Sequence, residues 1–223
     1  MRVEVWSDIN CPWCYVGKAR FERALEAFPH REEIEVVHRS FELDPHAPHE
    51  ARPVVPLLAA KYGMSLEQAE AAEARIAENA RGEGLPYLAE GRDAANSFDM
   101  HRLLHFAKEH GRQAELLDAL YRANFAEERS AFDAARLVEL AVEAGLDGGA
   151  AAAVLADPEA YAEAVREDEA TASAMGATGV PFFVLDRRLG VSGAQPAETF
   201  TRALEQAWDS RVTLPLTPLA PQA

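Results

Sequence analysis

Both cysteines of the chain fall within Cys11-Pro12-Trp13-Cys14. Two thiols at this spacing can close a disulfide with each other or serve as half of a metal site. If Pro12 opens a helix, where its missing N–H costs nothing, Cys11 is the N-cap and Cys14 the third helical residue. These positions lie side by side, so the two sulfurs can meet without backbone movement. The Cys11 sulfur is then expected to be exposed on the dipole axis, accepting the free N–H groups of Trp13 and Cys14, which favours thiolate over thiol. One cysteine is set to attack and the other to resolve.

Other residues nearby could take part. Asp8, three positions before Cys11, is either a proton shuttle for Cys14 or a plain turn residue, and spacing alone leaves both open. Trp13 is expected to be exposed at the helix start, offering substrate an apolar contact. Lys18, two turns on, reads as solvated. A zinc site is the rival use of the sulfurs, with His46 and His49 as the remaining ligands. That spacing is tighter than in zinc fingers and no second cysteine pair exists, so no metal is expected and both histidines read as solvated loop.

The elements that must position this pair read as strand, helix, strand over the first forty residues: Arg2 to Ser7, Pro12 to Phe28, Ile34 to Phe41. Such a unit implies parallel pairing through a right-handed crossover. Pro45, Pro48 and Pro53 mark an irregular stretch from Glu42 to about Val55. Helical patterns follow for over a hundred residues. Ser65 to Gln68 is a capping box opening a helix that fails near Gly82 and Gly84; another helix runs from Asn96 or Ser97 to Gly111. Leu116, Leu117, Leu120, Tyr121 and Phe125, then Leu137, Val138, Leu140 and Ala141 after a cap at Asp133, recur as core stripes. Strands return at Pro181 to Leu185 and Leu189 to Ser192 around a hairpin turn, followed by a helix from Ala197 to Trp208. The pattern predicts an α/β domain in which βαβ and ββα halves share one sheet and flank an all-helical insertion. The divisions are 1–45 with 175–212 for the domain, 46–174 for the insertion and 213–223 for a proline-rich tail.

The chain has 223 residues, a formal net charge of -15 and 48% hydrophobic residues. That balance disfavours nucleic acid and anionic membrane surfaces, and no apolar run suits a signal segment or a membrane span. A cytoplasmic location is expected, in keeping with the lack of a disulfide framework. Partners should be proteins or small molecules.

Ser7-Asp8, the run from Cys11 to Lys18, Gly179-Val180-Pro181-Phe182-Phe183 and Ser192-Gly193-Ala194-Gln195 together carry a family resemblance. The chain resembles the DsbA-like thioredoxin superfamily, specifically its FrnE-like branch, kin of 2-hydroxychromene-2-carboxylate isomerases and kappa-class glutathione transferases. The resemblance implies a thioredoxin fold, thiol–disulfide exchange through a mixed disulfide, and a cis peptide before Pro181. It places Val180 and Pro181 against Cys11, where the Val180 backbone can pair with an extended substrate. Cys11, Cys14 and Pro181 are thus the expected catalytic residues, with Pro12, Trp13, Val180, Gly193, Ala194 and Gln195 binding substrate. Asn96, Phe98 and His101 resemble a family segment facing the active site, although a cap and core contacts suffice for the first two. No cofactor is implied beyond the redox-active pair, with glutathione a candidate co-substrate, and the substrate is a protein or small molecule bearing a disulfide or dithiol. Pro-Trp stands here where strongly oxidising DsbA proteins have Pro-His, which argues for a less oxidising pair. No additional C-terminal cysteine pair is present for an internal relay. The isomerase and transferase relatives carry serine in place of Cys11. A glutathione-dependent isomerase or transferase and a redox-sensitive binding protein are the alternative functions; oligomeric state is not fixed by sequence.

Overall fold

A computed structural model describes residues 1–211. In chain order the elements are β1 (Arg2–Ser7), α1 (Pro12–Glu26), β2 (Glu35–Ser40), β3 (Arg52–Pro53), α2 (Val54–Tyr62), α3 (Leu66–Gly82) and β4 (Asp93–Ala94). There follow α4 (Phe98–Glu109), α5 (Gln113–Ala126), α6 (Ala134–Glu143), α7 (Gly148–Ala156), α8 (Ala162–Ala174), β5 (Phe182–Leu185), β6 (Leu189–Ser192) and α9 (Ala197–Asp209). The main sheet has the order β2-β1-β5-β6. β1 runs parallel to β2 and antiparallel to β5, with Val3 opposite Leu185 and Trp6 opposite Phe182. The halves expected from the two ends of the sequence therefore close one thioredoxin-type sheet, with the helical block between them. The tail at 213–223 lies outside the described residues. Among those described, no helix is long and apolar enough to cross a membrane.

β1 is buried on both faces, and its period of two divides the molecule. Val3 and Val5 face α1 and α9, joining Phe21, Phe28, Phe183, Phe200 and Leu204 in one core. Glu4 and Trp6 face the other side, toward α8, where the Trp6 indole donates to the Asp168 carbonyl at 2.8 Å. Glu4 is buried there because Arg39 meets it at 2.5 Å and Arg187 at 3.1 Å. Asp168 accepts from the Ser40 N–H at 3.0 Å, from Arg39 at 3.0 Å and from His105 at 3.1 Å, clasping β2 and α4 to α8.

The capping box at Ser65 forms as predicted, the Ser65 hydroxyl accepting from Gln68 N–H and the Gln68 side chain from Ser65 N–H. Two expectations fail. The stretch expected to stay irregular to Val55 contains β3, paired with β4, and α2 already begins at Val54. A two-residue ladder has no alternation to read, and Pro53 sits at its end with Pro56 inside the first helical turn, where prolines are tolerated. Lys18 is buried rather than solvated, since α1 lays that face on the sheet. Its ammonium is held at 2.5 Å by both Glu22 and Asp118. Burial alone would lower its pKa, but the two carboxylates outweigh this and raise it.

Burial pushes Asp168 upward, yet the His105 and Ser40 hydrogen bonds and the Arg39 charge hold it below the usual carboxylate range. A depressed carboxyl contributes stability that is fully present above its unfolded value, about 3.9, and lost as pH falls through the lower native value. Asp168→Asn should cost about 3 kcal/mol in urea unfolding near neutrality, as for one partner stripped from a buried ion pair. The gap to the unsubstituted protein should close across that acid window; a gap independent of pH would show that the carboxylate charge is not what holds the clasp.

Candidate active site

The pair sits where the chain turns from β1 into α1. Pro12 is the first residue of α1 and Cys11 its N-cap, in extended conformation (φ -88°, ψ 108°). The Cys11 N–H donates to the Asp8 carbonyl at 3.1 Å, which fixes the entry to the helix. Contrary to expectation, the Cys11 sulfur caps no N–H group. The Cys14 and Tyr15 N–H groups are taken by the Cys11 carbonyl at 2.9 and 3.3 Å, and the thiol turns instead to the Val180 carbonyl at 3.6 Å. Nor is Cys11 exposed. It is 4% accessible and Cys14 1%, because both belong to the core cluster of the helical block with Ile9, Leu103, Leu120 and Tyr121. Trp13, 39% accessible, is the exposed residue of the motif, as predicted. Both cysteines are free thiols. Burial pushes the Cys14 thiol well above its usual range, and the adjoining Cys11 sulfur adds to the shift.

The peptide before Pro181 is cis, matching the expectation from the resemblance, and the contact from Cys11 to Val180 brings the two motifs together. Pro181 packs on α1 at Gly17. A Cβ added there would lie 2.9 Å from Pro181 Cγ and 3.3 Å from Ala194. The Gly193 to Gln195 segment supports this strand from behind: Gly193 N–H donates to the Pro181 carbonyl at 2.8 Å, and the Gln195 amide folds back to Ser192 at 2.9 Å. Arg20 of α1 donates to the Ala194 carbonyl at 2.7 Å and to Glu83 at 2.7 Å, tying the segment to the end of α3, where Arg23 also pairs with Glu83.

Asp8 is no plain turn residue. It is 1% accessible, and its carboxylate accepts from Leu43 N–H at 2.7 Å and Asn10 N–H at 3.1 Å. His101 Nε2 of α4 stands 3.6 Å from Asp8 Oδ1, an ion-pair distance longer than a hydrogen bond. Burial would raise the Asp8 carboxyl, but His101 and the two N–H groups outweigh it and hold it below the usual range. Tyr121 of α5 completes the wall. Burial raises its hydroxyl pKa well above the ordinary phenol value, with the Cys14 charge second, so it stays neutral. Sequence reading placed Tyr121 among the core leucines, and its helical spacing carries no signal to separate it from them. Asn96 serves as expected, its side chain accepting from Phe98 N–H at 2.9 Å, while its amide also reaches Glu42 at 3.1 Å. His46 and His49 are exposed, and among the described residues no group of three His, Cys, Asp or Glu side chains could hold a metal.

Residues 2–205 match the family described as DSBA-like thioredoxin domain. A probable DsbA oxidoreductase from Streptomyces coelicolor is similar in structure, with a TM-score of 0.93, 62% identity and coverage of 100% of this chain and 95% of that one. YwbO of Bacillus subtilis strain 168 is 27% identical over 205 residues, covering 92% of this chain and 96% of its own. The cytosolic disulfide reductase DsbM from Pseudomonas aeruginosa, in a structure with GSH, shares the fold at a TM-score of 0.66 and 20% identity, over 94% of this chain and 100% of that one.

The close approach at Gly17 gives a direct test. Gly17→Ala should cost about 1–3 kcal/mol by overpacking against Pro181 and Ala194, and should slow thiol exchange as the strand shifts from Cys11. Gly82→Ala, at the end of α3 with open space around it, should be neutral or stabilising by up to about 1 kcal/mol. Equal effects at the two sites in thermal unfolding would show that the contact at Gly17 is not a constraint.

Proposed function

The chain belongs to the DsbA-like thioredoxin family of oxidoreductases, and we propose that it is a thiol–disulfide oxidoreductase working through the Cys11–Cys14 pair. The observation that carries this reading is a pair of free thiols at a helix start, of which Cys11 reaches the Val180 carbonyl next to cis Pro181. Cys11, as thiolate, attacks one sulfur of a substrate disulfide; a mixed disulfide forms and the other substrate sulfur leaves as thiolate. Cys14 then loses its proton and attacks the Cys11 sulfur. The Cys11 to substrate bond breaks, the substrate leaves reduced, and the enzyme holds the disulfide until a thiol reductant restores it. Run backwards, the same steps oxidise a dithiol.

The raised pKa of Cys14 supports its assignment as the resolving thiol, protonated until the mixed disulfide forms. Asp8, ionised beside it, is the proton acceptor in this scheme. Trp13 offers an apolar contact at the rim, and the Val180 backbone aligns the substrate strand. The Gly193 to Gln195 segment positions that strand from behind. Substrates are disulfide- or dithiol-bearing proteins or small thiols, glutathione among them.

Insulin reduction with a thiol reductant checks the scheme. Cys11→Ser should abolish turnover. Cys14→Ser should keep Cys11 reactive and accumulate a mixed disulfide visible by mass spectrometry. Full activity in Cys11→Ser would overturn the reading. Glutathione-dependent isomerisation or transfer in the absence of any protein disulfide would replace it with the alternative chemistry.

A further inference from the structure

Around the turn from Ser7 to Cys11, buried polar atoms collect without hydrogen-bond partners among the described residues: both ring nitrogens of His101, the Tyr121 hydroxyl, and Oδ1 of Asn10 and of Asn124. Native interiors pair about nine in ten such atoms. Their gathering around one turn, Ser7 to Cys11, sets that place apart from ordinary core. His101 is the most exceptional of them. It is 1% accessible, comes from the helical block rather than the sheet, and faces Asp8 at 3.6 Å.

We propose that His101 is the positioning residue that completes Asp8 as a proton acceptor, so that the proton leaving Cys14 is held by the Asp8–His101 pair. This rests on the thiol-exchange reading above. As the Cys14 sulfur bonds to the Cys11 sulfur, the Cys11 to substrate bond breaks and the substrate sulfur leaves with its electron pair. The Cys14 proton passes to the Asp8 carboxylate and comes to rest on His101, an imidazolium paired with a carboxylate. The enzyme dithiol is oxidised and the substrate disulfide reduced.

The groups facing His101 agree with this role. Asp8 comes from the turn after β1, with Cys14 and Tyr121 beyond it, and Glu42 from the segment after β2. Glu42 is already engaged by Arg166 at 2.6 Å and by Asn96, and the next histidine on α4, His105, is engaged by Asp168 at 3.1 Å. Asp8 is therefore the carboxylate left to pair with His101. The pair accepts that proton only while the imidazole is neutral, so resolution should speed up with pH as the pair empties and then level off.

Stopped-flow reaction of the reduced protein with a chromogenic aryl disulfide separates the steps: the first thiolate released reports attack by Cys11, the second attack by Cys14. His101→Gln should leave the first phase within about twofold, slow the second about 10²-fold and remove its rise to a plateau with pH. Asp8→Asn should do the same, and the double variant should be no worse than the slower single, as for residues acting as a unit. A second phase in His101→Gln with unaltered rate and pH profile would overturn the proposal, as would effects that multiply. Should His101→Gln not fold, imidazole NMR of the unsubstituted protein decides: the His101 titration must move between the reduced and oxidised forms, and an unmoved titration overturns it. Loss of the first phase in the unsubstituted protein would instead defeat the thiol-exchange reading itself.

Discussion

A carboxylate buried at the end of the central strand is the junction on which the rest of the molecule depends. Asp8 receives the Leu43 N–H from the segment after β2 and the Asn10 N–H from its own turn and faces the His101 ring of α4 at 3.6 Å, while its carbonyl receives the Cys11 N–H. An ionised carboxyl out of water costs several kcal/mol unless partners meet it. Sheet, helical block and the start of α1 must therefore all be in place before this charge can be stable. The residue that enforces their docking also sets where the cysteine pair stands.

The alternation of β1 extends the same logic across the sheet. One face is apolar against α1 and α9, and the other carries Glu4 and Trp6 toward α8. The chain bears an excess of acid overall, yet its interior carboxylates are matched one by one: Glu4 by Arg39 and Arg187, Asp168 by Arg39 and His105, Glu73 by Arg92. Of these pairs, Arg39 with Asp168 joins the helical block to the sheet. The cysteines lie on that junction, packed into the core of the block although they follow directly from β1.

The strand and helix periods, the capping box at Ser65 and the two motifs at Cys11 and Pro181 are local in sequence, and these were legible. Local patterns also placed Cys11 at an N-cap. They could not tell that its sulfur would turn to a carbonyl 169 residues away instead of its own helix. Lys18 misled for the same reason, since its partner Asp118 is contributed by α5. Tyr121 sits at core spacing, and only its neighbours distinguish it from the leucines around it. The short β3–β4 ladder has too few residues to show any period.

The position of β1 between β2 and β5 has a consequence for how the protein is made. Synthesis proceeds from the N-terminus, so β1, α1 and β2 can assemble early, whereas β5 exists only once Leu185 has been translated. Until then one edge of β1 offers unpaired N–H and C=O groups to any passing strand. Cys11 and Cys14 precede that hairpin in the chain and pass the same interval without the Val180 carbonyl. The helical block whose core takes in the two cysteines, and the hairpin that follows the Val180 carbonyl, both come later in the chain, the block before the hairpin, so the dithiol is enclosed in two stages.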